Sequence, residues 1–126
     1  MECTALEMIN IYGLKKCDTC QKAQKWLRSE CLEHQFLDIR QTVVTKRETI
    51  ARWILIVGWE SLINRRGTTW RLLKEKDKKN LDEPNFLALV KAQPTLIKRP
   101  VFEIEETVLV GFKDDVRNTL KGLKND

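Results

Sequence analysis

The run Met8-Ile9-Asn10-Ile11-Tyr12-Gly13-Leu14 is apolar and β-branched and ends at a Gly-Leu-Lys-Lys turn, which predicts a strand. From Asp18 the period changes. Ala23, Trp26, Leu27, Glu30 and Cys31 recur at three- and four-residue spacing, with Lys22, Lys25 and Arg28 between them. That pattern predicts an amphipathic helix stopping near Glu33-His34, with Cys31 on the buried stripe of Ala23 and Leu27. Gln35-Phe36-Leu37-Asp38-Ile39-Arg40 then alternates polar and apolar residues and reads as a second strand. The first forty residues thus spell a βαβ unit, whose crossover is right-handed in nearly all proteins.

A helical stretch follows. Thr45 and Glu48 form a capping box that opens onto Ile50, Trp53, Ile54 and Val57, and Gly58 closes the helix. Trp59–Ile63 reads as a short turn, Asn64–Thr69 as a polar loop and Trp70–Lys74 as a further helical turn. Asp82 caps another helix with Pro84 in its first turn. The proline-bracketed loop 94–100 leads to a hairpin, Val101–Ile104 and Val108–Val110 joined by Glu105-Glu106-Thr107, and a last helix runs over Asp114–Leu123. The order is β-α-β, a helical insertion over about 42–93, then β-β-α. Without the insertion this is the order of a thioredoxin-like α/β fold with a mixed four-stranded sheet. One domain over 1–126 is expected, its core about 8–41 and 94–123.

Size and composition agree with that expectation. A chain of 126 residues, 42% hydrophobic and 33% charged, buries enough surface to fold without disulfides or metals. Such a composition excludes disordered and collagen-like chains. Apolar runs such as Trp53–Gly58 are too short to span a bilayer, and Met1–Thr4 lacks the character of a signal peptide. A soluble cytoplasmic domain is expected, with no membrane partner. The net charge is +5. Lys and Arg are interleaved with acids nearly everywhere, apart from Lys15-Lys16, Asn64-Arg65-Arg66, Lys78-Lys79 and Lys98-Arg99, so no direct nucleic-acid binding is expected. Lys78-Lys79 reads as a solvated basic surface.

The chemistry centres on Cys17-Asp18-Thr19-Cys20, placed where the first strand gives way to the first helix. A thiol at a helix N-terminus faces unpaired backbone N–H groups and the positive end of the helix dipole, and both favour the thiolate. Lys15 and Lys16 add positive charge. Cys17 is therefore the expected nucleophile, with its pKa below that of a free thiol. Cys20, one turn further on, is either a resolving partner or a small buried hydrophobe. No metal is expected, because Cys3, Cys31 and His34 complete no zinc-ligand spacing. Cys3 reads as inert, and the single His34 as a boundary residue.

Basic loops supply the other half of a site. In a thioredoxin-like fold the segment before the third strand passes beside the active cysteine, and here it is Lys98-Arg99-Pro100. A cis Arg99–Pro100 bond is expected, with Arg99 holding an anion next to the Cys17 sulfur through its planar fork. Asn64-Arg65-Arg66-Gly67-Thr68-Thr69-Trp70 reads as a second anion-binding rim, in which Arg66 is the candidate. Lys16 and Thr19 complete the expected substrate-binding set.

These residues resemble the arsenate-reductase-like family, which includes glutaredoxin-coupled arsenate reductases and the Spx regulators. The matching pieces are Ile11-Tyr12-Gly13, Cys17-Asp18-Thr19, Gly58-Trp59-Glu60, Arg66-Gly67-Thr68-Thr69-Trp70-Arg71, Ile97-Lys98-Arg99-Pro100 and Val110-Gly111-Phe112. Cys-Asp-Thr together with Arg-Gly-Thr-Thr-Trp is most similar to a subgroup of small proteins for which a glutathione-dependent thiol reductase role has been proposed. The resemblance implies Cys17 as nucleophile and Arg99 as its anion-binding neighbour. Family arsenate reductases use three arginines. Arg99 matches one; Asn64 and Gly111-Phe112 stand at the other two places.

Two functions follow as expectations. The first is a thiol-dependent oxidoreductase in which Cys17 attacks a disulfide, a glutathione adduct or an oxidised anionic substrate. It binds no cofactor and uses glutathione as co-substrate, with glutathione, glutaredoxin or thioredoxin as its partner. The alternative is an Spx-like regulator that controls binding to RNA polymerase through a Cys17–Cys20 disulfide, or a true arsenate reductase.

Overall fold

The computed structural model describes residues 8–123. In chain order the elements are β1 (Ile9–Gly13), α1 (Asp18–Ser29), β2 (His34–Asp38), α2 (Ile39–Thr45), α3 (Arg47–Val57), α4 (Trp59–Leu62), α5 (Thr68–Arg71), α6 (Glu75–Lys79) and α7 (Glu83–Ala92). A 3-10 turn at Pro94–Leu96 precedes β3 (Val101–Ile104), β4 (Thr107–Val110) and α8 (Asp114–Leu123). The chain divides into two compact units, one comprising everything up to Asp38 and from Arg99 onward, the other Ile39–Lys98.

The first unit is a four-stranded sheet in the order β2-β1-β3-β4. β1 pairs parallel to β2, with Ile11 opposite Phe36, and antiparallel to β3, with Ile11 opposite Phe102. β3 and β4 form an antiparallel hairpin that turns over Glu105-Glu106, since Ile104 already pairs with Thr107. This mixed sheet with βαβ and ββα halves is the thioredoxin-like fold. Alternation puts Ile9, Ile11, Phe102 and Ile104 on one sheet face. They form a core with Ala23 and Leu27 of α1 and with Val116 and Leu120 of α8. Among the described residues, no helix is long and apolar enough to cross a membrane.

Helix α1 ends earlier than its periodicity suggests. Glu30 is its C-cap, Cys31 takes a left-handed φ of 57°, and Leu32 N–H reaches back to the Leu27 carbonyl at 2.9 Å while Cys31 N–H bonds that of Arg28 at 3.2 Å. This is a Schellman motif, which closes a helix by reversing the hand of one residue. The reversal turns Cys31 out to solvent and brings Leu32 into the core, so the expected buried role of Cys31 passes to its neighbour.

In the second unit Trp53, Phe86, Leu62, Leu96 and Ile97 are fully buried. Trp59 and Phe86 stack at 6.0 Å, and Ile63 bridges Ile97. The unit begins at Ile39 rather than at 42, because Ile39 and Arg40 leave the strand and open α2. The N-cap of α3 is not the expected Thr45. Thr45 is the last residue of α2, and a cap needs non-helical backbone, so Lys46 (φ −134°) takes that position without a side-chain bond. Asp82 does cap α7, its Oδ1 accepting from Asn85 N–H at 2.9 Å, with Pro84 in the first turn. Helix α6 escapes periodicity because its sequence, Glu-Lys-Asp-Lys-Lys, has no apolar face. Its acids lie in the first turn and its lysines in the last, as the helix dipole favours.

Candidate active site

The site forms where β1 ends. Leu14 turns the chain through Lys15 and Lys16, with Cys17 N–H donating to the Leu14 carbonyl at 3.1 Å and Gln21 Nε2 to that of Lys15 at 2.7 Å. Cys17 is the N-cap of α1, its backbone extended (φ −78°, ψ 120°) while its carbonyl accepts from Gln21 N–H at 3.0 Å. Its half-buried sulfur therefore sits over the unpaired N–H groups of the first helical turn.

Two groups converge on that sulfur. Cys20, one turn along, contributes its thiol and its backbone N–H, and Arg99 contributes its guanidinium. Burial by itself pushes the Cys17 thiol up, but the hydrogen bonds from Cys20 and Arg99, with the positive charge of Arg99, outweigh it and hold Cys17 below its ordinary value of 9.0. The acting cation is Arg99, some eighty residues away in sequence; Lys15 and Lys16 are solvent-exposed. Arg99 precedes a cis bond to the buried Pro100, whose carbonyl accepts from Gly111 N–H at 2.8 Å. This anchors the arginine to the sheet at the start of β3.

Cys20 is the opposite case. It is fully buried, and burial pushes its thiol up to about 12, helped by the neighbouring Cys17. At neutral pH the pair thus holds one readily ionised sulfur and one protonated sulfur that donates to it. Gly13 makes this packing possible. A Cβ there would fall inside the contact distance of Cys20 Sγ and lie 3.3 Å from Cys20 Cβ and 3.5 Å from Phe36 Cε2. The sequence marks Gly13 only as a turn residue, because the need for a missing side chain shows once β1 and α1 are packed.

Thr19 lies exposed in the first turn of α1, and Lys16 exposed in the turn before it. Arg66 is also exposed but belongs to the second unit, where its N–H donates to Asn64 Oδ1 at 3.1 Å. Gly67 closes that loop, since a Cβ would stand 2.9 Å from Asn64 Nδ2. Phe112 packs edge-on against Trp26 at 5.7 Å and carries the Arg117 guanidinium over its ring at 4.3 Å. His34 opens β2 with Nδ1 3.3 Å from the Leu32 carbonyl. Cys3 lies outside the described residues.

A sheet of this topology with a cysteine capping α1 and an arginine before a cis-proline defines a thioredoxin-like protein with a thiol site. The chain belongs to the ArsC family, whose model matches residues 12–119. It is 40% identical to an uncharacterized protein of Haemophilus influenzae over 85% of this chain and 93% of that one. An arsenate reductase (ArsC) related protein from Brucella melitensis is 37% identical and superposes with a TM-score of 0.75, covering 92% of this chain and 96% of that one. The global transcriptional regulator Spx 1 of Lactococcus lactis is 30% identical over 86% of this chain and 84% of its own length.

Proposed function

We propose that this ArsC-family chain is a thiol-dependent reductase acting on a disulfide between glutathione and a second thiol. The observation that carries the reading is the Cys17 sulfur, held below its ordinary pKa by Cys20 and Arg99. In the first step the Cys17 thiolate attacks the glutathione sulfur; a Cys17–glutathione disulfide forms, and the substrate sulfur leaves as a thiolate that takes a proton from water. A second glutathione thiolate then attacks that adduct on its glutathione sulfur. Oxidised glutathione leaves and the Cys17 thiolate is restored. The sum converts one mixed disulfide and one glutathione into a free thiol and oxidised glutathione.

Arg99 fits the anionic part of the substrate, because it already neutralises the thiolate it stands beside. Lys16 and Thr19, both exposed in the same unit, complete the proposed binding set. Cys20 favours a second reading. Its thiol bonds Cys17, so a Cys17–Cys20 couple would need little rearrangement, and a relative is named a global transcriptional regulator. Against that couple, a resolving sulfur must ionise, and burial holds the Cys20 proton to about pH 12.

Intact mass after incubation with oxidised glutathione separates the two. A Cys3→Ser/Cys31→Ser background removes the other thiols, and Cys17→Ser and Cys20→Ser are added to it. The reductase reading expects one stable glutathionyl adduct that disappears in Cys17→Ser and persists in Cys20→Ser. Loss of two hydrogens, with the adduct trapped only in Cys20→Ser, would transfer the assignment to a dithiol switch.

A further inference from the structure

The positive charge of this chain is not spread along it. Residues 64–79 hold seven Lys and Arg against Glu75 and Asp77, a net +5, which equals the formal net charge of the whole protein. The remainder of the chain balances to zero. Pairs such as Arg65-Arg66 and Lys78-Lys79 look scattered along the sequence, yet the second unit brings one member of each to the same ring. The Arg65 guanidinium lies 5.5 Å and Lys78 Nζ 5.4 Å from the centroid of Trp70, which joins the 64–67 loop to the end of α6. Arg71 is tied back to Thr68 Oγ1 at 3.3 Å. Lys74, Lys76 and Lys79 are exposed, and Leu72, two residues after Trp70 in the chain, is a leucine 79% exposed.

We infer that this Trp70-centred patch is a docking surface for an acidic protein segment that carries an apolar residue to cover Leu72. Charge complementarity sets the class of partner, and three features select a polypeptide. Glu75 and Asp77 interrupt the cations on α6, which an uninterrupted row of phosphates would oppose. The Trp70 ring already holds two cations, so it is no open platform for a nucleic-acid base. The exposed Leu72 gains nothing from a phosphate backbone but does gain from an apolar side chain. A membrane surface is disfavoured because α5 and α6 are four and five residues long and present no continuous apolar face. The surface uses none of the cysteine chemistry.

The test uses the full chain and a fluorescein-labelled 16-residue peptide of Glu and Asp with Leu at every fourth position, read by anisotropy in low salt. Lys74→Glu/Lys76→Glu/Lys79→Glu should weaken binding at least tenfold, whereas Lys25→Glu/Lys91→Glu/Lys121→Glu, with the same change of charge, should stay within twofold. Replacing the peptide leucines by Ser should weaken binding several-fold to the wild type and hardly at all to Leu72→Ser. Amide shifts in the wild-type protein on adding peptide should cluster in residues 64–79, which checks the site without any variant. Equal loss in the two triple variants would overturn the inference, as would shifts spread over other lysines. Tighter binding of a 16-nucleotide oligothymidylate, or of phosphatidylserine vesicles, would reassign the surface to a nucleic acid or a membrane.

Discussion

Gly13→Ala puts the coupling between the sheet and the cysteine pair to a direct test. The added methyl falls within the contact distance of the Cys20 sulfur, and also meets Cys20 Cβ at 3.3 Å and Phe36 at 3.5 Å. Cys20 is fully buried in the first turn of α1, so the clash is expected to be relieved by moving that turn. Overpacking of this kind costs about 1–3 kcal/mol. The same movement draws the Cys20 thiol away from Cys17, so the Cys17 pKa should rise toward its ordinary value. Urea denaturation at neutral pH measures the first effect, and the pH profile of iodoacetamide alkylation at Cys17 the second. Cys20→Ala removes the obstructing sulfur at a cost of about 1 kcal/mol for the lost buried atom. Gly13→Ala/Cys20→Ala should therefore be more stable than the sum of the two single losses implies, by about 1–2 kcal/mol of coupling. Strict additivity of the two substitutions, or an alkylation profile unchanged in Gly13→Ala, would refute the packing argument.

Other consequences can be measured alongside. Arg99→Ala removes a hydrogen bond and a positive charge from the Cys17 thiolate, so alkylation should require higher pH; the same profile in Arg99→Lys should fall between it and the wild type. Between pH 9.0 and about 12 the unfolded chain loses the Cys20 proton while the folded chain keeps it, so native stability should fall with rising pH through that window. The slope approaches about 1.4 kcal/mol per pH unit once the unfolded thiol is largely ionised, and comparing urea denaturation of wild type and Cys20→Ala at about pH 10 and 11 isolates it, since Cys17 is by then largely ionised in both states. Asp82→Ala deprives Asn85 N–H of its cap and should cost about 1 kcal/mol in thermal melts, with Asp82→Asn losing less.

Local patterns were enough for the framework. The apolar, β-branched run of β1, the spacing of Ala23 and Leu27, and the Asp82–Pro84 start of α7 each express a preference that a few neighbouring residues carry by themselves. The position of Cys17 at a strand-to-helix junction was legible for the same reason. Where two local solutions competed, the sequence could not choose between them. Cys31 fits the helical stripe as well as Leu32 does, and the left-handed turn that exposes one and buries the other follows from how α1 must end to enter β2. Thr45 has the chemistry of a cap but was drawn into α2.

The electrostatics of the site lay further out of reach. Lys15 and Lys16 are adjacent to Cys17 in sequence, yet the charge that acts on its sulfur comes from Arg99, because pairing of β1 with β3 carries the start of β3 to the end of β1. The divergence of two similar thiols is likewise a matter of burial, which no spacing of residues encodes: Cys17 stands at the rim beneath a guanidinium, and Cys20 rests against the bare Cα of Gly13. Chemistry-bearing residue types can be read along the chain, but the solvent and neighbours that set their pKa values exist only once the sheet has closed.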